Sequence, residues 1–305
     1  MFKYVFCTYK TLIRFGLLGF LLLIVSCQQS TTNKQDDYFL FVDDYDRVVN
    51  VPNNPKRIVS VSPAITEIIF AIDASDKLIG RTDFCNFPPE VESIESIGGI
   101  NNLNVEKLLS LCPDLVLIGS MVPENTVNLI SKAGIPLVAI REKEHFDALF
   151  DNIERIGTLC NKKEEAKQLN ANLQQKTDEI KNTTIHQDNK ATVYYVVGYG
   201  KGGNFTAGGN TFINDIFTIC GLRNVAKDIV GWNYSTEALL NADPDYIFIR
   251  KEDIKQFCQT EPYTYLKAVK NGNVIPIESA YIDLQVPRNI EGLLYIYNTT
   301  HNAYR

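Results

Sequence analysis

Apolar and polar positions along this chain follow two periods in turn. Runs of five or six residues rich in valine, isoleucine and leucine recur as RIVSV, KLIGRT, DLVLI, PLVAI, TVYYVV, DYIFI and NVIPI. Most are followed by stretches in which apolar residues return at helical spacing. SPAITEIIFAID, for example, puts Pro63 at a first helical position and Ile65, Ile68, Ile69 and Ile72 on one face. Apolar strands alternating with amphipathic helices predict parallel sheets covered on both sides, an α/β fold. Ahead of the first of them, DYFLFVDDYDRVVNVP reads as a β-hairpin that turns near Asp43-Asp44.

One unit of this pattern occurs twice, 131 positions apart: NVEKLLSLCPDLVLI from Asn104 and STEALLNADPDYIFI from Ser235. Each copy has a capping residue (Asn104, Ser235), a glutamate two places on (Glu106, Glu237), a leucine pair, Pro-Asp and a buried strand. The duplication predicts two similarly built lobes with a cleft between them. Between the copies, residues 162–181 carry helical pattern without strand propensity and are rich in charge. At 1.5 Å per residue such a helix is roughly 30 Å long, enough to cross from lobe to lobe with one face packed and one wet. The predicted layout is a tether at 27–42, an N-terminal lobe at 43–160, a bridging helix at 161–183 and a C-terminal lobe at 184–305: two three-layer α/β lobes on parallel central sheets.

Residues 1–26 carry Lys3, Lys10 and Arg14, no acidic residue, and the apolar run Phe15 to Val25, which is short for a membrane span and reads as an export signal. Ile24-Val25-Ser26-Cys27 resembles the bacterial lipobox, which implies cleavage before Cys27 and a diacylglyceryl group on its thiol. The polar stretch from Gln28 to Asp37 then reads as a flexible tether. The whole chain has 30 basic and 36 acidic residues; loss of three basic ones with the signal leaves 27 against 36, a net charge of −9. Such a balance excludes nucleic acid as the expected partner. The remaining 279 residues suffice for two cores. Five further cysteines, at 85, 112, 160, 220 and 258, show no CxxC spacing, so no metal site is expected and one disulfide is possible. Cys112 and Cys160 stand in apolar helical context and read as small hydrophobes.

Taken in order, DDYDRVVNVPNNPKRIVSVSPAITEIIFAI, GRTDFCNFPPE, NVEKLLSLCPDLVLI, GGNTFINDIFTICGLRNVA, STEALLNADPDYIFI and VPRNIEG resemble the substrate-binding proteins of ABC importers for cobalamin, iron-siderophores or haem. The resemblance covers the chain from about Asp43 onward. It implies two lobes that move little, a ligand held between facing loops, and one acidic residue per lobe, Glu106 and Glu237 here, that docks on the membrane permease of a permease and ATPase complex. It further implies a lipid-anchored monomer on the extracytoplasmic side of the membrane, in the cell envelope, with no cofactor and no catalytic role.

Within that architecture, the loops after strands supply Phe84, Phe87, Ser120, Met121, Tyr199, Phe205, Trp232 and Tyr234 as ligand-binding candidates. Their aromatic bias suits a large planar ligand. Phe84, Phe205 and Trp232 match aromatic contact positions of cobalamin binders, whereas Ile100 and Gly119 stand where those proteins have tryptophans, and Ala280 and Leu284 where they have polar contacts. Haem would call for an axial tyrosine or histidine, yet His145, His186 and His301 read as surface residues. A ferric siderophore would call for groove cations, and only Lys201, Arg250 and Arg81 are placed for it. The expected ligand is therefore a cobamide, with a ferric chelate or haem as the alternative. Two other classes are weaker. Gly198-Tyr199-Gly200-Lys201-Gly202-Gly203 fits the dinucleotide fingerprint of an NAD-dependent enzyme, but the next helix starts only near Thr211. A lipid-anchored adhesin would need neither an aromatic groove nor paired acidic helix starts.

Overall fold

The computed structural model describes residues 37–185 and 190–301; the signal, Cys27 and the polar stretch after it lie outside the described residues. The chain starts as a hairpin, strand β1 (Tyr38–Val42) pairing with β2 (Val48–Pro52). The expected tether to residue 42 is therefore too long, because alternation in YFLFV turns Phe39 and Phe41 onto the core and makes a strand of its last five residues. The carboxylates of the turn are bonded rather than solvated. Asp43 is 3% exposed and accepts hydrogen bonds from Arg47, from the Tyr45 amide and from the Ala139 amide. Asp44 pairs with Arg155 at 2.6 Å and accepts from the Arg141 amide. Two turn aspartates thus bolt the hairpin to the first lobe.

The N-terminal lobe follows with β3 (Ile58–Val61), helix α1 (Pro63–Ala71), β4 (Leu78–Arg81), the small hairpin β5 (Gly98–Gly99) and β6 (Asn102–Leu103), α2 (Val105–Ser110), β7 (Leu115–Ile118), α3 (Glu124–Lys132), β8 (Leu137–Ala139) and α4 (Ala148–Leu159). Helix α5 (Lys163–Thr184) leads to the C-terminal lobe. That lobe has β9 (Thr192–Val196), β10 (Asn204–Phe205), α6 (Phe212–Ile219), β11 (Arg223–Asn224), β12 (Asn233–Tyr234), α7 (Thr236–Ala242), β13 (Tyr246–Ile249), α8 (Ile254–Gln259), α9 (Lys267–Lys270), β14 (Val274–Pro276) and α10 (Asn289–His301). The parallel sheets run β4-β3-β7-β8 and β11-β9-β13-β14, so both lobes have the same strand order, second-first-third-fourth. Strand β11, only two residues long, had no apolar run to announce it.

The repeat is equivalent down to single hydrogen bonds. Asn104 and Ser235 cap α2 and α7 by accepting from the amides of Lys107 and Ala238. Both helices stop at a left-handed residue before proline, Cys112 at φ 47° and Asp243 at φ 41°. Asp114 then accepts from the Lys56 and Arg57 amides, and Asp245 from the Thr192 amide, each pinning the start of its lobe's central strand. The stop position puts Cys112 in solvent, which corrects its reading as a buried hydrophobe. Cys160 is buried, and that burial pushes its thiol up to about 12. All five cysteines among the described residues are free.

Instead of two separate cores, one continuous core runs through both lobes. It takes Ile58, Leu115, Leu117 and Val138 from one face of the first sheet and Val193, Tyr195, Tyr246 and Phe248 from one face of the second. The alternate strand residues, Val59, Val116 and Ile118 or Tyr194, Ile247 and Ile249, face a satellite cluster in each lobe. Helix α5 joins the shared core through a single stripe, Ala166, Asn170, Leu173, Thr177, Ile180 and Thr184. Asn170 donates to the Phe150 carbonyl of α4, and Thr184 to the Ile219 carbonyl at the end of α6, so each end of the strut is bonded to a different lobe.

Direct contacts between the lobes reinforce the strut. The Arg288 guanidinium grips the Glu67 carboxylate with two bonds of 2.8 and 2.7 Å and stacks over the Phe87 ring at 3.6 Å. Their side chains are 16% and 5% exposed, so the pair is largely withdrawn from water. Gln285 is buried with its amide bonded to the Lys143 backbone and the His145 carbonyl. Asp215 accepts from the Phe146 amide. Burial pushes the Glu67 carboxyl up in spite of Arg288, the sign of a pair that orients more than it stabilises.

Two outcomes follow from these contacts. Glu67→Ala strands Arg288 and lowers unfolding free energy by about 3–5 kcal/mol, whereas Glu67→Leu with Arg288→Met costs about 1 kcal/mol or less; urea unfolding of both variants measures this, and an equal loss in the two would contradict it. For Asp43, burial raises the carboxyl, but the bonds from Arg47, Ala139 and Tyr45 outweigh it and hold it below the ordinary value of about 3.9. A lowered folded value stabilises above that pH and is lost as pH falls through it. The stability gap between the native protein and Asp43→Asn at pH 7 should therefore close below about pH 4 in thermal unfolding.

Candidate functional site

In a sheet of order second-first-third-fourth the connections leave to opposite faces after the first and third strands, and a crevice opens at their carboxyl ends. In the N-terminal lobe that point lies between β3 and β7. A cavity of about 250 Å³ sits there. Val61, Ser62 and Pro63 come from the end of β3, Ser120 and Met121 from the end of β7, and Glu142 from just beyond β8. Phe84 projects from the loop after β4, Ile100 and Asn101 from the tip of the β5–β6 hairpin, and Leu284 reaches in from the C-terminal lobe. The walls are mainly apolar.

Local chemistry explains why these loops present what they do. In DFCNFPP the third residue, Cys85, is buried, and its sulfur lies 3.2 Å from the hydroxyls of both Thr66 and Thr82. With that residue as a plug, Phe84 is left 60% exposed at the cavity, while Phe87 lies under Arg288 in the clamp between the lobes. Leu284 is carried by a segment anchored one residue earlier, where Asp283 accepts from the Tyr195 hydroxyl at 2.5 Å.

On the C-terminal lobe, β10 and β12 pair antiparallel, and the Thr206 amide donates to the Trp232 carbonyl. This sets Phe205 and Trp232, 37% and 45% exposed, on neighbouring strands at the equivalent strand ends. Tyr199 and Tyr234 point elsewhere. The Tyr199 ring meets Phe257 and Tyr263 edge-on, and the Tyr234 ring packs on Tyr194 while its hydroxyl donates to the Val225 carbonyl. Of the eight ligand candidates, Phe84, Ser120 and Met121 line the cavity, Phe205 and Trp232 are exposed across the lobe boundary, and Phe87, Tyr199 and Tyr234 have their rings engaged in packing.

The groove's candidate cations are largely committed. Arg81 donates to the carbonyls of Val91 and Thr82, and Arg250 pairs with Asp253 at 2.7 Å; Lys201 stands exposed. At Gly119 a Cβ would stand 3.0 Å from that of Ser62, so a larger side chain there would have to push Ser62 aside. Ile100 and Leu284 do line the cavity, with apolar side chains. Sequence reasoning missed Glu142, which follows PLVAI as Ser120 follows DLVLI; inspecting the residues after every parallel strand would have found it.

Glu106 and Glu237 occupy the same place in α2 and α7, exposed, with no cation paired to either among the described residues. The glycine-rich run is a hairpin rather than a phosphate cradle. Val197 and Gly198 bond back to Phe205, and the following helix starts at Phe212, capped by Thr211. His145 is exposed, His301 stacks on Tyr297, and His186 lies outside the described residues.

Comparison with known proteins fits this geometry. Residues 58–281 match the Periplasmic binding protein family. An ABC transporter substrate-binding lipoprotein of Bacillus subtilis, YvrC, is 31% identical over 253 residues, covering 80% of either chain. A cobalamin-binding protein of Halobacterium salinarum is 25% identical over 269 residues, 84% of this chain and 72% of its own. Among solved structures, the periplasmic heme-binding protein RhuT of Roseiflexus superposes with a TM-score of 0.71 at 24% identity, over 82% of this chain and 99% of its own. These relatives are binding proteins of transport systems and not enzymes. Among the described residues no helix is long and apolar enough to cross a membrane. With its twin lobes, strut and cleft, the chain belongs to the Periplasmic binding protein family, as an extracytoplasmic substrate-binding protein of an ABC importer.

Proposed function

We propose that the protein captures a cobamide in the cleft between its lobes and hands it to the permease and ATPase complex of its importer, tethered to the membrane by a lipid on Cys27. The observation that carries the ligand class is the lining: an apolar cavity edged by Phe84, with Phe205 and Trp232 exposed at the equivalent strand ends of the other lobe and two of three candidate cations committed to structural bonds. A ferric siderophore or haem bears several anionic groups and draws on free guanidinium or ammonium groups. A corrin presents a broad face and an edge of neutral amides, which suits aromatic and aliphatic walls. At about 250 Å³ the cavity is below the usual range of roughly 300–1,000 Å³ for a whole small ligand. It holds one edge of the ring, and the rest lies in the open groove. The cobalamin-binding relative supports the same class.

Because Trp232 is the only tryptophan, its fluorescence reports binding directly. Titration of the mature chain with cyanocobalamin, cobinamide, haemin and a ferric siderophore should give saturable quenching with the two corrinoids, and Trp232→Ala, followed by calorimetry, should weaken them about tenfold or more. Saturation with haemin alone would overturn the ligand reading and favour haem.

Glu106 and Glu237 serve as the docking pair, one per lobe, for cationic groups of the permease. Since both are exposed, Glu106→Ala and Glu237→Ala should each change stability by about 0.5 kcal/mol or less. Together they should weaken association with the reconstituted transporter about tenfold or more, most at low salt, with cobamide affinity unchanged. Undiminished association would remove their docking role.

A further inference from the structure

Among the described residues Glu142 is the only ionisable one lining the cavity, within walls built from Val61, Pro63, Ile100 and Leu284. A carboxylate in such surroundings ordinarily has a cation or two to three donors. Among the described residues a single neutral donor serves the half-exposed Glu142: the Ser120 hydroxyl gives one hydrogen bond of 2.6 Å to Oε2. No lysine or arginine pairs with it among the described residues. Oε1 lies beside Gly119, 3.4 Å from where a Cβ would stand, so the missing side chain leaves that oxygen uncrowded. The loop has little freedom to move the group, since the Arg141 and Lys143 amides on either side are held by Asp44 and Gln285.

We infer that Glu142 is a specificity-determining residue of the cleft and Ser120 its positioning residue. Its free acceptor takes a hydrogen bond from an N–H or O–H group of the ligand and discriminates against ligands that bring an anionic group to this wall. The inference rests on reading the cleft as the importer's ligand site. Two physical effects give the selectivity. Donation to an ionised acceptor is about twice as strong as between neutral groups. An anion at the same position meets a like charge at reduced dielectric, where repulsion is several times that in water. A ligand edged with primary amides satisfies the carboxylate; the propionates of haem or the oxyanions of a catecholate do not. The cleft would thus reject the alternative ligands by charge as well as by the commitment of Arg81 and Arg250 to structural partners.

The test is calorimetric titration of the mature chain at neutral pH with cyanocobalamin and with haemin, for the native protein, Glu142→Gln, Glu142→Ala and Ser120→Ala, with thermal midpoints as a folding control. Both Glu142 variants should lose about tenfold in cyanocobalamin affinity and gain about tenfold for haemin, and Ser120→Ala should shift both in the same sense by less, with unfolding midpoints near the native one. Cyanocobalamin binding that stays within twofold in both Glu142 variants would overturn the inference and leave the cobamide reading intact. A native protein that takes haemin and no corrinoid would end the cobamide reading; the inference would then stand only if Glu142→Gln tightened haemin, and would fall if haemin affinity did not change.

Discussion

The buried pairing of Glu67 with Arg288, stacked on Phe87, is the constraint to which the rest of this structure answers. It joins positions 221 residues apart, one on the first helix of the first lobe and one at the entrance to the last helix of the second. Two α/β lobes could each fold around their own sheets and still present no site, because loops at two sets of strand ends define a cleft only when their separation is held. Gln285 and Asp215 repeat the tie through backbone groups, and the strut from Lys163 to Thr184 is bonded at both ends. Such a pair contributes little net stability for its desolvation cost. What it contributes is register between the lobes.

A shared core extends the same constraint. Each sheet gives one face to the common cluster and the other to a satellite of its own. Bending the lobes against each other would open a packed interior and not a solvated hinge, which costs roughly 25 cal/mol for each Å² of apolar surface exposed. The structural consequence is a cleft that is largely formed in advance, and a pair of exposed glutamates, Glu106 and Glu237, at equivalent helix starts. Capture then depends on what the loops carry, and delivery on how the two lobes are gripped.

Much of this was legible in the chain. The twin unit announced its caps, its stops and its strand-pinning aspartates, because capping, left-handed stops and buried strands are local requirements that leave residues at fixed offsets. Glu106 and Glu237 were visible for the same reason. The aromatic candidates were only partly separable. Phe84 and Phe87 lie three residues apart in one loop, yet one faces the cavity and the other a guanidinium, and the difference rests on Cys85 being buried between two threonines. Tyr199 and Tyr234 were drawn into packing by Phe257, Tyr263 and Tyr194, partners far along the chain.

By itself, then, the sequence determined the fold class, the doubled cap-helix-stop-strand unit and the acidic start of each equivalent helix, all of which follow from periodicity and from side chains acting on their own backbone. Only the tertiary structure decided that the two lobes share one core, that Asp43 and Asp44 are structural bolts, that Arg81, Arg250 and Arg288 are spent on structural partners, and that Glu142 lines an apolar cavity with Ser120 as its donor. A charge has no meaning until its neighbours are known, and those neighbours come from strands and loops tens to hundreds of residues away. Periodicity is written along the chain, but solvation and pairing exist only once it has closed on itself.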